Sequence, residues 1–168
     1  MNPSVSIIMG STSDLPVMKK AADFLDSMQV PFEMIALSAH RTPDEVADFA
    51  HNAEGRGVKV IIAGASMAAA LPGVIAAITP LPVIGVPLGA TLMGQDALLS
   101  IAQMPPGIPV ATTGIDGAMN AAVLAVRILA LGDAEIKLRY DTWRASLGEK
   151  IVKANESLRD VKYEYKTN

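Results

Sequence analysis

A histidine and an arginine stand side by side in the segment Ser38-Ala39-His40-Arg41-Thr42-Pro43. The imidazole of His40 can give and take a proton near neutral pH, and a positioned acid–base group contributes about 10²–10⁴-fold to a rate. The guanidinium of Arg41 presents a planar fork of donors that suits phosphate. The pair predicts a catalytic His40 beside an anion-binding Arg41. The alternative is a structural histidine that bonds to the backbone.

The residues that follow indicate where this pair lies. Thr42, Pro43 and Glu45 form a helix-start pattern with an N-cap hydroxyl, a proline at the first helical position and a glutamate at the third. Because an apolar run precedes the pair, His40 is expected in a loop between a strand and a helix. The other histidine, His51, falls inside that helix and is expected on the surface.

A second polar segment, Gly10-Ser11-Thr12-Ser13-Asp14, also follows an apolar run and precedes a helical pattern. Glycine permits a tight turn, hydroxyls donate to phosphate oxygens, and the amino end of a helix favours anions. We expect Asp14 to cap the helix, with Pro16 in its first turn, or to accept from ribose hydroxyls. The alternative is a polar turn without a ligand. The segment is not a P-loop, because no Gly-Lys-Ser/Thr follows.

A third segment, Gly64 to Gly73, consists mainly of small residues after a buried apolar run. Small side chains let the backbone approach a flat ligand, and the alternative is tight packing of a helix on a sheet. Pro72 interrupts any helix that begins at Ser66, so a short turn followed by a new helix is one expectation here. The residues of this segment predicted to bind substrate are Ser66, Met67, Ala68 and Leu71.

Composition excludes several other kinds of site. Cysteine is absent, so disulfides, thiolate metal sites and a cysteine nucleophile are excluded. With two histidines and no HExxH spacing, no metal site is expected. The formal net charge of −3 argues against a nucleic-acid or anionic-membrane partner, because those are bound by clustered Lys and Arg.

Short β-branched runs alternate with longer helical patterns along the chain. Strands are expected at 5–9, 32–37, 58–63, 82–86 and 108–112. Helices are expected at 15–28, 44–54, 67–78, 96–103, 120–130 and 134–158. This alternation predicts an α/β fold with a parallel sheet, in which ligands bind outside the carboxyl ends of the strands. All three polar or small-residue segments lie at such ends.

The length of 168 residues and the 51% of hydrophobic residues predict one domain with a sizeable core. The first nine residues lack the charged start of a signal peptide, and the absence of cysteine suits the cytoplasm. The last helix carries apolar residues beyond the final strand. It is expected to pack on a neighbouring subunit, and the alternative is that it folds back on its own sheet.

Four segments together resemble the PurE family, N5-carboxyaminoimidazole ribonucleotide mutase of purine biosynthesis. They are Gly-Ser-x-Ser-Asp, Ser-Ala-His-Arg-Thr-Pro, Ala-Ala-x-Leu-Pro-Gly and Ser-Ile-x-Gln-Met-Pro-x-Gly-Ile-Pro-Val, which stand here at 10–14, 38–43, 68–73 and 100–110. The resemblance runs from about Ser4 to Trp143. It implies a flavodoxin-like three-layer sandwich with a five-stranded parallel sheet and a long C-terminal helix, and a homo-octamer whose terminal helices pack on neighbours.

The resemblance also implies a reaction without a metal or organic cofactor. A carboxylate moves from the exocyclic nitrogen of an aminoimidazole ribonucleotide to ring carbon 4, through decarboxylation to the free amine and recapture of the CO2. His40 matches the histidine that delivers the first proton and removes the second. Ser11, Ser13, Asp14, Ser38 and Arg41 match positions near the phosphate and ribose.

The chain departs from the family pattern at strand ends. Where bacterial mutases usually read Gly-Ala-Gly-Gly-Ala-Ala-His-Leu-Pro-Gly, the two central glycines are Ser66 and Met67, and the histidine is Ala70. The loop after Pro87 and the segment 113–120 are shorter than usual. An altered base or carboxylate pocket is therefore expected. Two further interpretations stay open: a relative that carboxylates or decarboxylates a different phosphorylated heteroaromatic substrate, and a non-catalytic nucleotide-binding oligomer.

Overall fold

Five parallel strands form the central sheet of the computed structural model, which describes residues 2–168. The strands are β1 (Val5–Met9), β2 (Phe32–Ala36), β3 (Val60–Ser66), β4 (Val83–Leu88) and β5 (Ala111–Thr112). Their order across the sheet is β2-β1-β3-β4-β5, and each neighbouring pair is parallel. The chain leaves β1 toward β2 and returns on the other side to β3, so the strand order reverses at β1. In such sheets this reversal is the usual place for a ligand.

Six α-helices connect and follow the strands. They are α1 (Leu15–Ser27), α2 (Pro43–Asn52), α3 (Leu71–Ile78), α4 (Gln95–Ala102), α5 (Ala118–Leu129) and α6 (Ala134–Glu156). One apolar cluster joins β1, β3 and β4 to α1, α5 and the start of α6. A second cluster joins the opposite face to α2, α3 and α4. The predicted three-layer, flavodoxin-like sandwich with a long terminal helix is confirmed.

Burial on both faces explains why the central strands are largely apolar. Every residue of β1 and β4 is buried, as are the first six of β3. Strands alternate polar and apolar residues when one face of the sheet is exposed to solvent, whereas helices cover both faces of this sheet. Alanines on α5, such as Ala121 and Ala125, are fully buried and let that helix pack close to the sheet.

Two predicted elements, β5 and α3, are much shorter than expected, whereas the others differ by at most a few residues at their ends. β5 has two residues rather than five, because Pro109 has no N–H to donate to the ladder and the edge position supplies a partner on one side only. Helix α3 begins at Leu71 and not at residue 67. Met67 and Ala69 have φ of +57° and +29°, which no right-handed helix accepts. The turn followed by a new helix, expected from Pro72, is what forms.

The terminal helix α6 divides into a covered half and an exposed half. Ile136 and Tyr140 are buried, and the Trp143 ring lies 4.8 Å from the Phe24 ring of α1. The Nε of Arg139 donates to the Met28 carbonyl at 2.8 Å. The first half thus packs on its own chain, and the expected packing of the helix on a neighbouring subunit stays a prediction. The second half exposes Leu147, Ile151 and Val152.

Within residues 2–168, no helix is both long enough and apolar enough to cross a membrane.

Candidate functional site

A cleft of about 390 Å³ opens at the carboxyl ends of β2, β1 and β3. Its volume falls in the range of small-molecule sites. The loops after these three strands supply its walls, at the point where the strand order reverses. All eleven residues predicted from the sequence line it: Gly10, Ser11, Ser13, Asp14, Ser38, His40, Arg41, Ser66, Met67, Ala68 and Leu71.

The loop after β1 is held by its own side chains. The Ser11 hydroxyl accepts from the Ser13 N–H at 3.2 Å and from the Ser13 hydroxyl at 2.9 Å. The Asp14 carboxylate accepts from the Ser11 N–H at 3.1 Å, which completes a capping box around a single 3₁₀ turn. Asp14 occupies the N-cap position of α1, but its carboxylate bonds back to Ser11 rather than to the helix. The predicted Pro16 does lie in the first turn of α1.

The Asp14 carboxyl is half-buried against the cleft wall. This burial raises its pKa above the ordinary value of 3.8, while the bond from the Ser11 N–H and the nearby Arg41 guanidinium oppose the rise. A carboxylate with free lone pairs in this place can accept hydrogen bonds from ribose hydroxyls, the second of the two roles expected from the sequence.

The loop after β2 is closed by Thr42. Its hydroxyl accepts from the Ser38 N–H at 2.9 Å and donates to the Ser38 carbonyl at 3.1 Å. Thr42 therefore holds the N-cap position of α2 without a side-chain bond to that helix, so the predicted cap hydroxyl closes the loop instead. A tight loop of five residues results, and it carries His40 at its exposed tip.

His40 faces open space in the cleft, and in the part of the chain that the structure describes its ring makes no hydrogen bond. The structural alternative, a ring bonded to backbone, is therefore absent here. His51 lies exposed on α2, as expected, and does not line the cleft.

Arg41 joins the two polar loops. Its Nη2 donates to the Gly10 carbonyl at 2.9 Å, across 31 residues of sequence. This bond leaves the other guanidinium donors free for a ligand, since Arg carries five N–H groups. Arg41, the hydroxyls of Ser11 and Ser13 and the amino end of α1 together make a corner of the cleft that can bind an anion.

The loop after β3 has a different chemistry. Ser66 is the polar side chain of this wall, and its neighbours are Met67 and the alanines at 65, 68, 69 and 70. Leu71 is 2% exposed and closes the floor. The resemblance places glycine at Met67, and the φ of +57° is the left-handed conformation that glycine favours. The chain thus keeps the backbone of a glycine turn and adds a long side chain to it.

Four lining residues were not predicted individually: Ala39, Ala65, Ala69 and Ala70. Their methyl groups carry no chemical signal, although three of them lie within the small-residue segment that was singled out. The loops after β4 and β5 do not line the cleft. They bind each other instead, because the Gly89 N–H donates to the Asp116 carboxylate at 2.9 Å. The expectation that their altered lengths reshape the substrate pocket is not supported by this chain alone.

The cleft can bind an anion at its polar end and pack a flat ring against its apolar wall. His40 can give a proton to the bound molecule or take one from it. Among residues 2–168, no group of three or more His, Cys, Asp or Glu could hold a metal ion. The chemistry offered by these side chains is acid–base chemistry on a bound, negatively charged small molecule.

Comparisons with known proteins agree with this geometry. Residues 4–150 match the family model described as AIR carboxylase. The N5-carboxyaminoimidazole ribonucleotide mutase of Pyrococcus abyssi is 58% identical over 146 residues, 86% of this chain and 84% of that protein. The enzyme of the same name from Bacillus subtilis is 51% identical over 161 residues, covering 94% and 99%. The crystal structure of Treponema denticola PurE superposes with a TM-score of 0.85 at 30% identity, over 93% of this chain and 98% of that chain.

Proposed function

This chain belongs to the AIR carboxylase family, and from that premise we propose that it is an N5-carboxyaminoimidazole ribonucleotide mutase, an isomerase of purine biosynthesis. Its substrate is a small-molecule nucleotide. The relatives with this name cover nearly the whole chain at 49–58% identity. The mutase is therefore favoured over a relative that acts on a different heteroaromatic substrate and over a non-catalytic oligomer.

The phosphoribosyl end of the substrate is assigned to the polar loops. The hydroxyls of Ser11 and Ser13, the Ser38 side chain and the Arg41 guanidinium offer donors to the phosphate. Asp14 accepts from the ribose hydroxyls. Because the polar groups lie on the loops after β1 and β2, the imidazole ring is directed toward the apolar loop after β3, where Ser66, Met67, Ala68 and Leu71 contact it.

His40 carries both proton transfers in this mechanism. As imidazolium it protonates the exocyclic nitrogen while the N–C bond of the carbamate breaks, which gives the amine and CO2. Ring carbon 4 then attacks CO2 with its own electron pair, and neutral His40 removes the proton from that carbon. The imidazolium is regenerated, so one histidine suffices and no proton is gained or lost overall. No electrons are exchanged with an outside reagent, and the scheme uses neither an organic cofactor nor a metal.

The exposed apolar half of α6 supports self-association. Leu147, Ile151 and Val152 leave an apolar strip that no other part of residues 2–168 covers. We assign this strip to contacts in a homo-octamer, as the family resemblance implies. No nucleic acid or membrane partner is assigned, in keeping with the net charge of −3. The reaction takes place in the cytoplasm. Its one-carbon partner is CO2 formed within the cleft, which exchanges with bicarbonate only if it escapes.

The observation that carries the proposal is the convergence of three loops, distant in sequence, on one cleft that holds His40 and Arg41 together. Genetic rescue tests it. A purine-requiring strain that lacks its mutase is expected to grow without purine when it expresses this chain. A folded, well-expressed chain that gives no growth contradicts the proposal.

Binding of aminoimidazole ribonucleotide tests the non-catalytic alternative. At about 100 times its Kd, a ligand that binds only the folded state adds about 2.7 kcal/mol of stability, which a thermal shift detects easily. Binding together with rescue supports the enzyme. Binding without rescue supports the nucleotide-binding oligomer.

A further inference from the structure

The turn between β3 and α3 holds a methionine in a conformation that suits glycine. The Ala69 N–H donates to the Ser66 carbonyl at 3.0 Å, so residues 66–69 form a hydrogen-bonded turn. Met67, its first central residue, has a φ of +57°. Turns with positive φ at this position are dominated by glycine, because a side chain there is strained. Strained residues of this kind cluster at functional sites.

The exposure of the Met67 side chain also sets it apart on this wall of the cleft. It is 54% exposed and lines the cleft, whereas Leu71, the other long side chain of this wall, is 2% exposed. The remaining wall residues are alanines and Ser66. Among the described residues that line the cleft there is no Phe, Tyr or Trp. A thioether is flexible and polarizable and packs well on a flat ring, so Met67 is the side chain suited to cover one.

We propose that Met67 covers the imidazole ring of the bound ribonucleotide and retains CO2 between the two halves of the reaction. This inference rests on the proposed mutase function. After the N–C bond breaks, neutral CO2 lies beside the ring until the C–C bond forms at carbon 4. An apolar cover slows its escape and excludes water, which otherwise leaves the free amine as a side product.

The variant Met67→Gly removes the covering side chain and keeps a turn with the same backbone conformation. Glycine relieves the positive φ, so the melting temperature is expected to rise by about 2–4 °C. Loss of the cover is expected to raise KM up to about tenfold. It is also expected to raise the fraction of substrate released as aminoimidazole ribonucleotide and CO2 by about fivefold. Chromatography of both products over time measures that fraction, and a reaction without enzyme corrects for spontaneous loss of the carbamate.

Two controls isolate the role of the side chain. Gln29, exposed at the end of α1, has a φ of +53° and lies away from the cleft. Gln29→Gly is expected to raise the melting temperature similarly while KM and product fraction stay unchanged. Met67→Leu keeps an apolar cover and is expected to retain most of the wild-type product fraction.

The outcomes are distinct. A Met67→Gly enzyme that turns over with wild-type KM and wild-type product fraction overturns the role of Met67, and the mutase function stands. A wild-type protein that converts no substrate overturns the mutase function itself, and the inference falls with it. A rise in side product that Met67→Leu shares in full contradicts a cover made by apolar bulk.

Discussion

The two sides of the cleft are built by different means. On the loops after β1 and β2, side chains bond to nearby backbone: Asp14 to the Ser11 N–H, Thr42 to Ser38, and Arg41 to Gly10. On the loop after β3, one backbone hydrogen bond closes a turn with two left-handed residues, Met67 and Ala69. The polar side is held by many unstrained bonds, and the apolar side by packing against a strained backbone.

The difference indicates which part of the substrate each side of the cleft binds. A phosphate and a ribose need fixed donors and acceptors, and short loops cross-linked by side chains supply them. A ring that must lose and regain a carboxylate needs a surface without competing polar groups. In this chain the departures from the family pattern that reach the cleft, at Ser66, Met67 and Ala70, all fall on the apolar side.

Removing the proton carrier on the polar side has the largest expected effect. His40→Asn keeps the size and polarity of the residue but cannot carry a proton at neutral pH. Turnover is expected to fall by about 10²–10⁴-fold, with binding of aminoimidazole ribonucleotide unchanged within about twofold. Steady-state assays and thermal shifts measure the two quantities.

His51→Asn serves as the matched control, since His51 is exposed on α2 outside the cleft. It is expected to behave as wild type. Near-normal turnover by His40→Asn removes this histidine from the mechanism and leaves the polar side with a role in binding alone.

Arg41→Lys is expected to weaken substrate binding, with an effect smaller than that of His40→Asn on turnover. Lysine keeps the charge but cannot donate to the Gly10 carbonyl and to a phosphate in the same fixed plane. The Kd for aminoimidazole ribonucleotide is expected to rise about tenfold, because a charge-assisted hydrogen bond contributes about 1.5–3 kcal/mol and this one is partly solvated. Arg127→Lys, on the exposed face of α5, is the matched control. Equal affinities for both variants and wild type contradict an anion-binding Arg41.

The sequence predicts the polar side better than the apolar side. β1 is predicted to the residue and β2 to within one, because β-branched runs bounded by turns leave little choice. Ser11, Asp14 and His40 carry chemistry in their side chains, so the sequence indicates that they belong to a site. The alanines of the third loop carry none. The positive φ of Met67 and Ala69 is invisible to residue patterns, since both residue types favour helices.

Hydrogen-bond partners are the least predictable feature. Thr42 and Asp14 stand where caps are expected, yet each bonds backward into its loop. Local pattern places such a residue at a helix start but does not choose between two nearby N–H groups of similar geometry. Tertiary packing also decides which half of α6 is buried. The first half packs on its own chain through Trp143, while the second half stays exposed.

The smallest expected effect concerns the charge of Asp14. Its raised pKa means that the folded protein binds more protons than the unfolded chain between the ordinary value of 3.8 and the folded value. The free energy of unfolding contributed by this group therefore falls as pH rises through that window. Asp14→Asn keeps an acceptor for the Ser11 N–H and removes the titration.

Urea unfolding of wild type and Asp14→Asn at pH 4 and pH 7 measures this effect. The free energy of unfolding of the variant relative to wild type is expected to be higher at pH 7 than at pH 4, by less than about 1 kcal/mol because the carboxyl is partly solvated. The opposite sign means that Arg41 stabilises the Asp14 carboxylate more than burial destabilises it. The two charged groups of the polar side then interact more strongly than the raised pKa indicates.

The central claim is that one cleft carries both halves of an isomerisation. It is tested most directly with N5-carboxyaminoimidazole ribonucleotide labelled with ¹³C in the carbamate and incubated with purified protein in unlabelled bicarbonate. The expected product is carboxylated at C4 and retains the label, because CO2 passes from nitrogen to carbon within the cleft. A product carrying unlabelled carboxylate, or no product at all, contradicts it.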